Sequence, residues 1–284
     1  MAIAPNIPKA ILITGCSSGI GLAAAQMLQE RGYKVIASCR KQSDVERLLR
    51  EGLHHVIPLD LASSESIQRT VVETLVIAEG KLFALFNNAA YGQPGAVEDL
   101  SRAALRQQFE TNVFGTHELT CALLPHLLQQ PDARIIQNSS VLGLVSLPFR
   151  GAYNASKFAL EGLTDTLRLE LKNTSVKISL IEPGPIISQF RANGLRMFQQ
   201  EIEIENSRHK ASYEKSLQRL RKPGPAAPFT LPPEAVVKKL IHALESPRPK
   251  PRYYVTFPTY LMGTLKRLCS TRVLDWLVLK LGKA

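Results

Sequence analysis

Long apolar runs are absent. Nowhere do the 284 residues approach the roughly 18 uncharged apolar positions of a membrane-crossing helix. Residues 1–10 hold two prolines and none of the apolar core that a secretory leader carries, so a cytoplasmic protein is expected. Cysteine is scarce: Cys16, Cys39, Cys121 and Cys269 stand far apart with no C-x-x-C. That spacing argues against a disulfide framework and a zinc site; reduced thiols and no metal are the expectation. No internal repeat or low-complexity segment is visible. Acid is also in short supply, with 24 Asp and Glu against 35 Lys and Arg and a net charge of +11. Such a surplus suits nucleic acid, anionic lipid or an anionic small molecule. No nucleic-acid motif accompanies it, so no nucleic-acid partner is expected. Much of the charge sits beyond Ser246, where Arg248, Lys250, Arg252, Lys266, Arg267, Arg272, Lys280 and Lys283 face the single acid Asp275.

The chain is long enough for one α/β domain with an appendage. Short aliphatic runs at 10–14, 34–38, 55–59, 82–87, 134–138 and 176–182 read as strands and alternate with helical patterns. That alternation predicts a Rossmann-type, doubly wound parallel sheet with helices on both faces. Ser18 suits a helix cap, Gly32 a helix stop, and Pro125 should kink or break the helix expected over 118–130. Residues 1–257 form the expected catalytic domain. Within it, 185–233 is too long an excursion for an ordinary loop and is read as a substrate lid or a disordered loop. Residues 258–284 read as a basic amphipathic extension, with Leu261, Leu265, Leu268, Val273, Leu274, Trp276 and Leu277 at helical spacing. Such a helix packs on its own core or a second subunit, or lies on a membrane surface.

Three constellations carry chemistry. Tyr153 and Lys157 stand four residues apart on one face of a predicted helix, which sets a phenol beside an ammonium and suggests a proton donor. Thr14-Gly15-Cys16-Ser17-Ser18-Gly19-Ile20-Gly21 follows the first strand and opens the first helix, the context in which glycines and a helix N-terminus receive phosphate. At the end of the second strand, where an acid would hold a ribose hydroxyl, the chain reads Ser38-Cys39-Arg40-Lys41. Arg40 favours a 2′-phosphate, hence NADP(H).

Together these motifs resemble the short-chain dehydrogenase/reductase family, in order from about Lys9 to Ser188. The resemblance implies a catalytic set of Asn112, Ser140, Tyr153 and Lys157. Ser139 competes with Ser140, and the family's placement of its serine just inside the loop favours Ser140. For the cofactor it implies Gly15, Ser17, Ser18, Gly19, Ile20 and Gly21, then Asp60 with Leu61, Asn88 with Ala89, Tyr153 and Lys157, and finally Pro183, Gly184, Ile186 and Ser188. Two departures stand out: Ala90 replaces a glycine and Ser188 a threonine. Leu142, Phe149, Phe190 and Phe198 flank the implied site and are candidates, with Ser140, to line an apolar substrate pocket. The stretches GCSSGIGL, ASCRK and LIEPGPI resemble the branch of 17β-hydroxysteroid dehydrogenases, retinol dehydrogenases and bacterial NADP-dependent aldehyde reductases. The resemblance therefore implies hydride transfer with an apolar alcohol, aldehyde or ketone, aldehyde reduction ranking ahead of steroid or retinol oxidation. It further implies a homodimer or homotetramer. A non-catalytic dinucleotide-binding protein or membrane-associated scaffold is the alternative of another class, and its mark would be a broken catalytic set.

Overall fold

Strands that are aliphatic on both sides need cover on both sides, and helices supply it. The computed structural model describes residues 8–221, 224 and 227–281. Lys222, Pro223, Pro225 and Ala226 of the expected lid, and Lys283 of the basic tail, lie outside these residues. The chain begins β1 (Ala10–Ile13), α1 (Gly19–Glu30), β2 (Lys34–Cys39), α2 (Gln42–Arg50), β3 (His55–Pro58), α3 (Ser64–Ile77) and β4 (Leu82–Asn87). It continues α4 (Arg102–Phe109), a π turn (Glu110–Gly115), α5 (Thr116–Leu128), β5 (Ala133–Asn138), α6 (Gly151–Glu170) and β6 (Val176–Glu182). Last come α7 (Phe190–Glu201), α8 (Lys210–Arg221), α9 (Glu234–Glu245), β7 (Arg252–Tyr254), α10 (Phe257–Leu268) and α11 (Thr271–Leu281).

The sheet is parallel throughout, in the order β3-β2-β1-β4-β5-β6-β7. Its six long strands fall where the aliphatic runs predicted. The three-residue edge strand β7 was not foreseen. Alternation splits the core: Ile11, Ile13, Val35 and Ala37 pack with α1 and α9, while Leu12, Ile36, Leu82 and Leu85 pack with α3 and α5.

Pro125 does not break its helix: α5 runs through it. Leu119, Leu123 and Leu127 are fully buried on the opposite face. At about 2 kcal/mol each their burial outweighs the roughly 3 kcal/mol of an interior proline. Pro125 lies on the exposed side with Cys121, so the carbonyl that loses its donor faces water.

The expected lid folds as α7 and α8, closed around Phe198, Ile202 and Tyr213. Tyr213 accepts from the Ala96 amide at 2.8 Å and donates to Asp99, tying the lid to the loop before α4. The C-terminal helices pack back on the body, with Met262 and Val278 buried against Val145. No helix among the described residues is long and apolar enough to cross a membrane.

Candidate active site

Strand order reverses between β1 and β4, and the crevice beyond their C-terminal ends is where a parallel sheet receives a ligand. Gly15 and Gly19 take φ of 74° and 57°, which glycine alone adopts freely. A Cβ would stand 2.8 Å from Ala89 Cα at Gly15, 3.0 Å from Ser188 Cβ at Gly19, and 2.7 Å from Asn88 Nδ2 at Gly21. The glycine turn thus lies one side chain's width from two segments the sequence had grouped with it, Asn88-Ala89 and the one ending at Ser188. Thr14 fastens them: its Oγ1 accepts from the amides of Asn88 and Ala89, each at 2.9 Å, and its carbonyl accepts from Asn88 Nδ2 at 2.9 Å. Ala90 keeps a negative φ, so the alanine in place of glycine introduces no backbone strain.

Ser17 offers its carbonyl to Arg47 at 2.8 Å, and Ser18 stands at the N-cap of α1 with no side-chain cap bond. Ile20 packs into the core beneath them. A bare main-chain channel ending at a helix N-terminus fits a dinucleotide pyrophosphate. Arg40 lies exposed at the tip of β2, outside any hydrogen bond or ion pair among the described residues. Asp60 Oδ1 accepts from the Ala62 amide at 3.0 Å, and Leu61 is buried with its carbonyl pressed on Gly115 of the π turn.

Tyr153 and Lys157 share one buried face of α6, and Lys157 Nζ lies 5.7 Å from the Tyr153 ring centre. Nζ donates to the Asn138 carbonyl at 2.7 Å, while Asn138 Nδ2 reaches Asn88 Oδ1 at 2.9 Å. Lysine and glycine turn are therefore joined through one asparagine. Burial pushes the Tyr153 phenol up to about 12; the Ser140 hydroxyl, hydrogen-bonded to it, and the Arg150 charge pull the other way. Burial brings Lys157 down to about 8, opposed by Glu161 one turn further along.

Ser140 caps a short 3-10 turn, accepting from the Leu142 amide at 3.1 Å, whereas Ser139 faces Gly143 and Glu161. Asn112 sits in the π turn, a feature frequent at functional sites. Its Nδ2 donates to the Tyr91 carbonyl at 2.9 Å and Ser156 Oγ at 3.1 Å, and its Oδ1 accepts from the Tyr91 amide at 3.2 Å. The side chain is committed to protein partners.

The family model for short chain dehydrogenase matches residues 9–197. This chain belongs to the short-chain dehydrogenase/reductase family. It is 46% identical to the uncharacterized oxidoreductase YbbO of Escherichia coli K12 over 267 residues, which is 94% of this chain and 93% of that one. It is 40% identical to human retinol dehydrogenase 8 over 192 residues, 64% of this chain and 60% of that one. Among solved structures, a short chain dehydrogenase/reductase from Burkholderia phymatum in complex with NAD superposes with a TM-score of 0.76 at 28% identity, over 92% of each chain. The protein is thus an oxidoreductase of the short-chain type, a family that acts on CH–OH groups with a nicotinamide dinucleotide.

In this short-chain family member the turn from Pro183 to Ser188 is braced from an unforeseen direction. A Cβ on Gly184 would overlap the Thr256 hydroxyl and come within 3.1 Å of Thr259 Oγ1, both buried at the start of α10. Pro183 gives its carbonyl to the Val141 amide at 2.8 Å, beside Ser140, and Ile186 bridges to Leu231 at the far end of the lid.

The substrate-side candidates separate. Phe190 meets the Tyr153 ring edge-on at 5.2 Å and covers it. Leu142 lies beside Ser140. Phe149 packs its ring on His209 and Tyr213 of the lid, at 5.4 and 5.8 Å. Phe198 is buried in the same cluster. Thr14, Asn138 and Glu161 were missed as supports. Only Glu161 left a signal, four residues past Lys157 on the same helical face. Among the described residues no group of three or more His, Cys, Asp or Glu could hold a metal ion.

Proposed function

We propose that the protein is an NADP(H)-dependent reductase of apolar aldehydes or ketones. The observation that carries this reading is the meeting of Ser140, Tyr153 and Lys157 at the edge of the glycine crevice. When bound, the dinucleotide supplies the hydride. Ser140 and Tyr153 hydrogen-bond the substrate oxygen, and Tyr153 gives its proton as negative charge grows there. Lys157 spends one hydrogen on Asn138 and keeps two for a ribose hydroxyl and the phenol. Gly15, Gly19 and Gly21, with Asn88, Ala89, Asp60, Leu61, Pro183, Gly184, Ile186 and Ser188, hold the dinucleotide. Asn112 shapes the wall through Tyr91. Arg40, exposed at the strand tip and outside any hydrogen bond or ion pair among the described residues, supports preference for the 2′-phosphate.

Phe190 and Leu142 beside the acting pair support an apolar substrate. Alcohol oxidation on a retinoid or steroid is the second reading, supported by the likeness to retinol dehydrogenase 8. Exposed Phe114, Phe158, Leu163 and Leu169 support pairing of subunits through α5 and α6. Exposed Val273, Trp276 and Leu279 among basic residues support peripheral lipid contact by α11 at the inner face of the cytoplasmic membrane.

The test is cofactor oxidation with medium-chain aldehydes, retinal and ketosteroids, NADPH against NADH. Faster turnover of aldehydes with NADPH is expected. Equal use of NADH would overturn the Arg40 argument, and normal turnover by Tyr153→Phe would overturn the mechanism.

A further inference from the structure

Behind Lys157 lies a buried ionic cluster that the hydride-transfer reading leaves without a task. Glu161 stands one turn beyond Lys157 on α6 and is 6% exposed; Glu182, the last residue of β6 before Pro183, is wholly buried. Both accept from one guanidinium nitrogen, Arg252 Nη1 on β7, and Arg252 Nη2 donates to Asp165 at 2.5 Å. Ser139, directly after the Asn138 that holds Lys157, borders Glu161 across Gly143. On its outer side Arg252 lines a cavity of about 230 Å³ with Lys239, Lys250 and Arg267. Charge therefore faces the cluster from α6, β6, β7, α9 and α10, and Glu161 is the acid whose charge reaches Lys157.

A buried ionic cluster of this kind is a costly way to fasten an edge strand; apolar packing of equal volume does as well or better. Two buried carboxylates on one guanidinium also oppose each other's ionisation. Burial first, and then the neighbouring acid, hold Glu182 up to about 8.

We propose that Glu161 is a positioning residue that keeps Lys157 cationic, with Arg252 holding Glu161 charged and in place while Glu182 competes for the same guanidinium. The proposal rests on the reading of Tyr153 and Lys157 as the acting pair. It has a consequence that a purely structural cluster lacks. Neutralising Glu161 takes the counter-charge from Lys157, whereas neutralising Glu182 leaves Arg252 Nη1 to Glu161 while Nη2 stays on Asp165. The two changes injure the same ion cluster and shift the charge on Lys157 in opposite directions.

The experiment compares pH profiles of kcat/KM for carbonyl reduction in the wild type, Glu161→Gln, Glu182→Gln and Glu161→Asp. Beside it runs a titration of tyrosinate absorbance in the cofactor-free proteins, each referenced to the same protein carrying Tyr153→Phe. Glu161→Gln should move the alkaline limb down by about one pH unit, roughly a tenfold loss above the limb, with kcat falling more than KM rises. Tyr153 ionisation should stay in place in that variant, because Lys157 is already neutral where the phenol titrates, so the moved limb belongs to Lys157. Glu182→Gln should move the limb upward or leave it in place, and Glu161→Asp should restore most of the wild-type profile. If Glu161→Gln does not fold, Glu161→Asp decides, with a partial downward shift expected. Parallel shifts in the Glu161 and Glu182 variants, or an unmoved limb in both Glu161 variants while Tyr153→Phe is inactive, would overturn the proposal alone. Normal turnover by Tyr153→Phe would bring down this proposal and the underlying reading together.

Discussion

The crevice at the ends of β1, β4 and β5 and the lid with its neighbouring C-terminal helices are built on different principles. In the crevice, polar groups are anchored by partners from other elements: Asn88 by Thr14, Lys157 by Asn138, Asn138 by Asn88. On the lid side, beyond the Tyr213 tie to Ala96 and Asp99, contacts are often between rings, as Phe190 on Tyr153 and Phe229 on Phe257 at 5.0 Å, and several of those rings are exposed. Hydrogen bonds fix direction, and ring contacts fix little beyond distance. On the proposed reading, the sheet would hold the chemistry, while the choice of substrate would fall to ring-packed segments that can repack without disturbing it.

The contrast is sharpest if changes in the crevice abolish reaction and changes in the lid redistribute it. Tyr153→Phe should lower kcat by about a thousandfold, the scale of a lost general acid, with dinucleotide affinity little changed by fluorescence titration. Gly21→Ala comes next. Its Cβ would overlap the Gly15 carbonyl and crowd Asn88 Nδ2, so the protein should lose about 2 kcal/mol of stability in urea unfolding and bind dinucleotide poorly. Arg40→Asp should act on preference alone. Losing a charge-assisted bond to a 2′-phosphate and gaining a ribose acceptor should change the NADPH-to-NADH ratio of kcat/KM by about fiftyfold. Phe190→Ala should raise KM for long aldehydes by about tenfold while kcat stays within a few fold. Were kcat to collapse instead, Phe190 would belong to the rigid crevice and the contrast would fail.

The sequence made the crevice legible because its parts are local. A strand, a glycine turn and a helix start lie within twenty residues, and Tyr153 and Lys157 lie within five. Six of seven strands could be placed from aliphatic runs because a sheet buried on both faces leaves few alternatives. What stayed hidden depends on distant pairing. β7 is three residues long, and both its pairing with β6 and the ion pairs of Arg252 with Glu161, Glu182 and Asp165 join positions 70 or more apart. Thr256 and Thr259 brace Gly184 from more than seventy positions away, and no spacing rule announces them. Phe149 was assigned to the pocket by proximity in sequence, yet it takes a φ of 61° and turns to the lid, which its position beside the loop could not reveal.

The smallest predicted effect tests whether the buried carboxylates belong to the crevice. Glu182 has an ordinary value near 4.5 and is held up to about 8 in the fold, chiefly by burial and then by Glu161. Between those values the folded protein keeps a proton that the unfolded chain has released, so its contribution favours the fold below 4.5 and is lost as pH rises to about 8. Lys157 works in the next window with the opposite sign. Its value falls from 10.5 to about 8, so the unfolded chain binds the extra proton there and stability recovers as pH climbs from 8 to 10.5. The wild type should accordingly show a shallow minimum near pH 8. Glu182→Gln has no proton to lose; its melting temperature relative to wild type should match at pH 4.5, climb by a few degrees towards pH 8, and climb no further beyond. A difference that stays flat from pH 5 to 8 would mean that Arg252 keeps Glu182 ionised throughout that range.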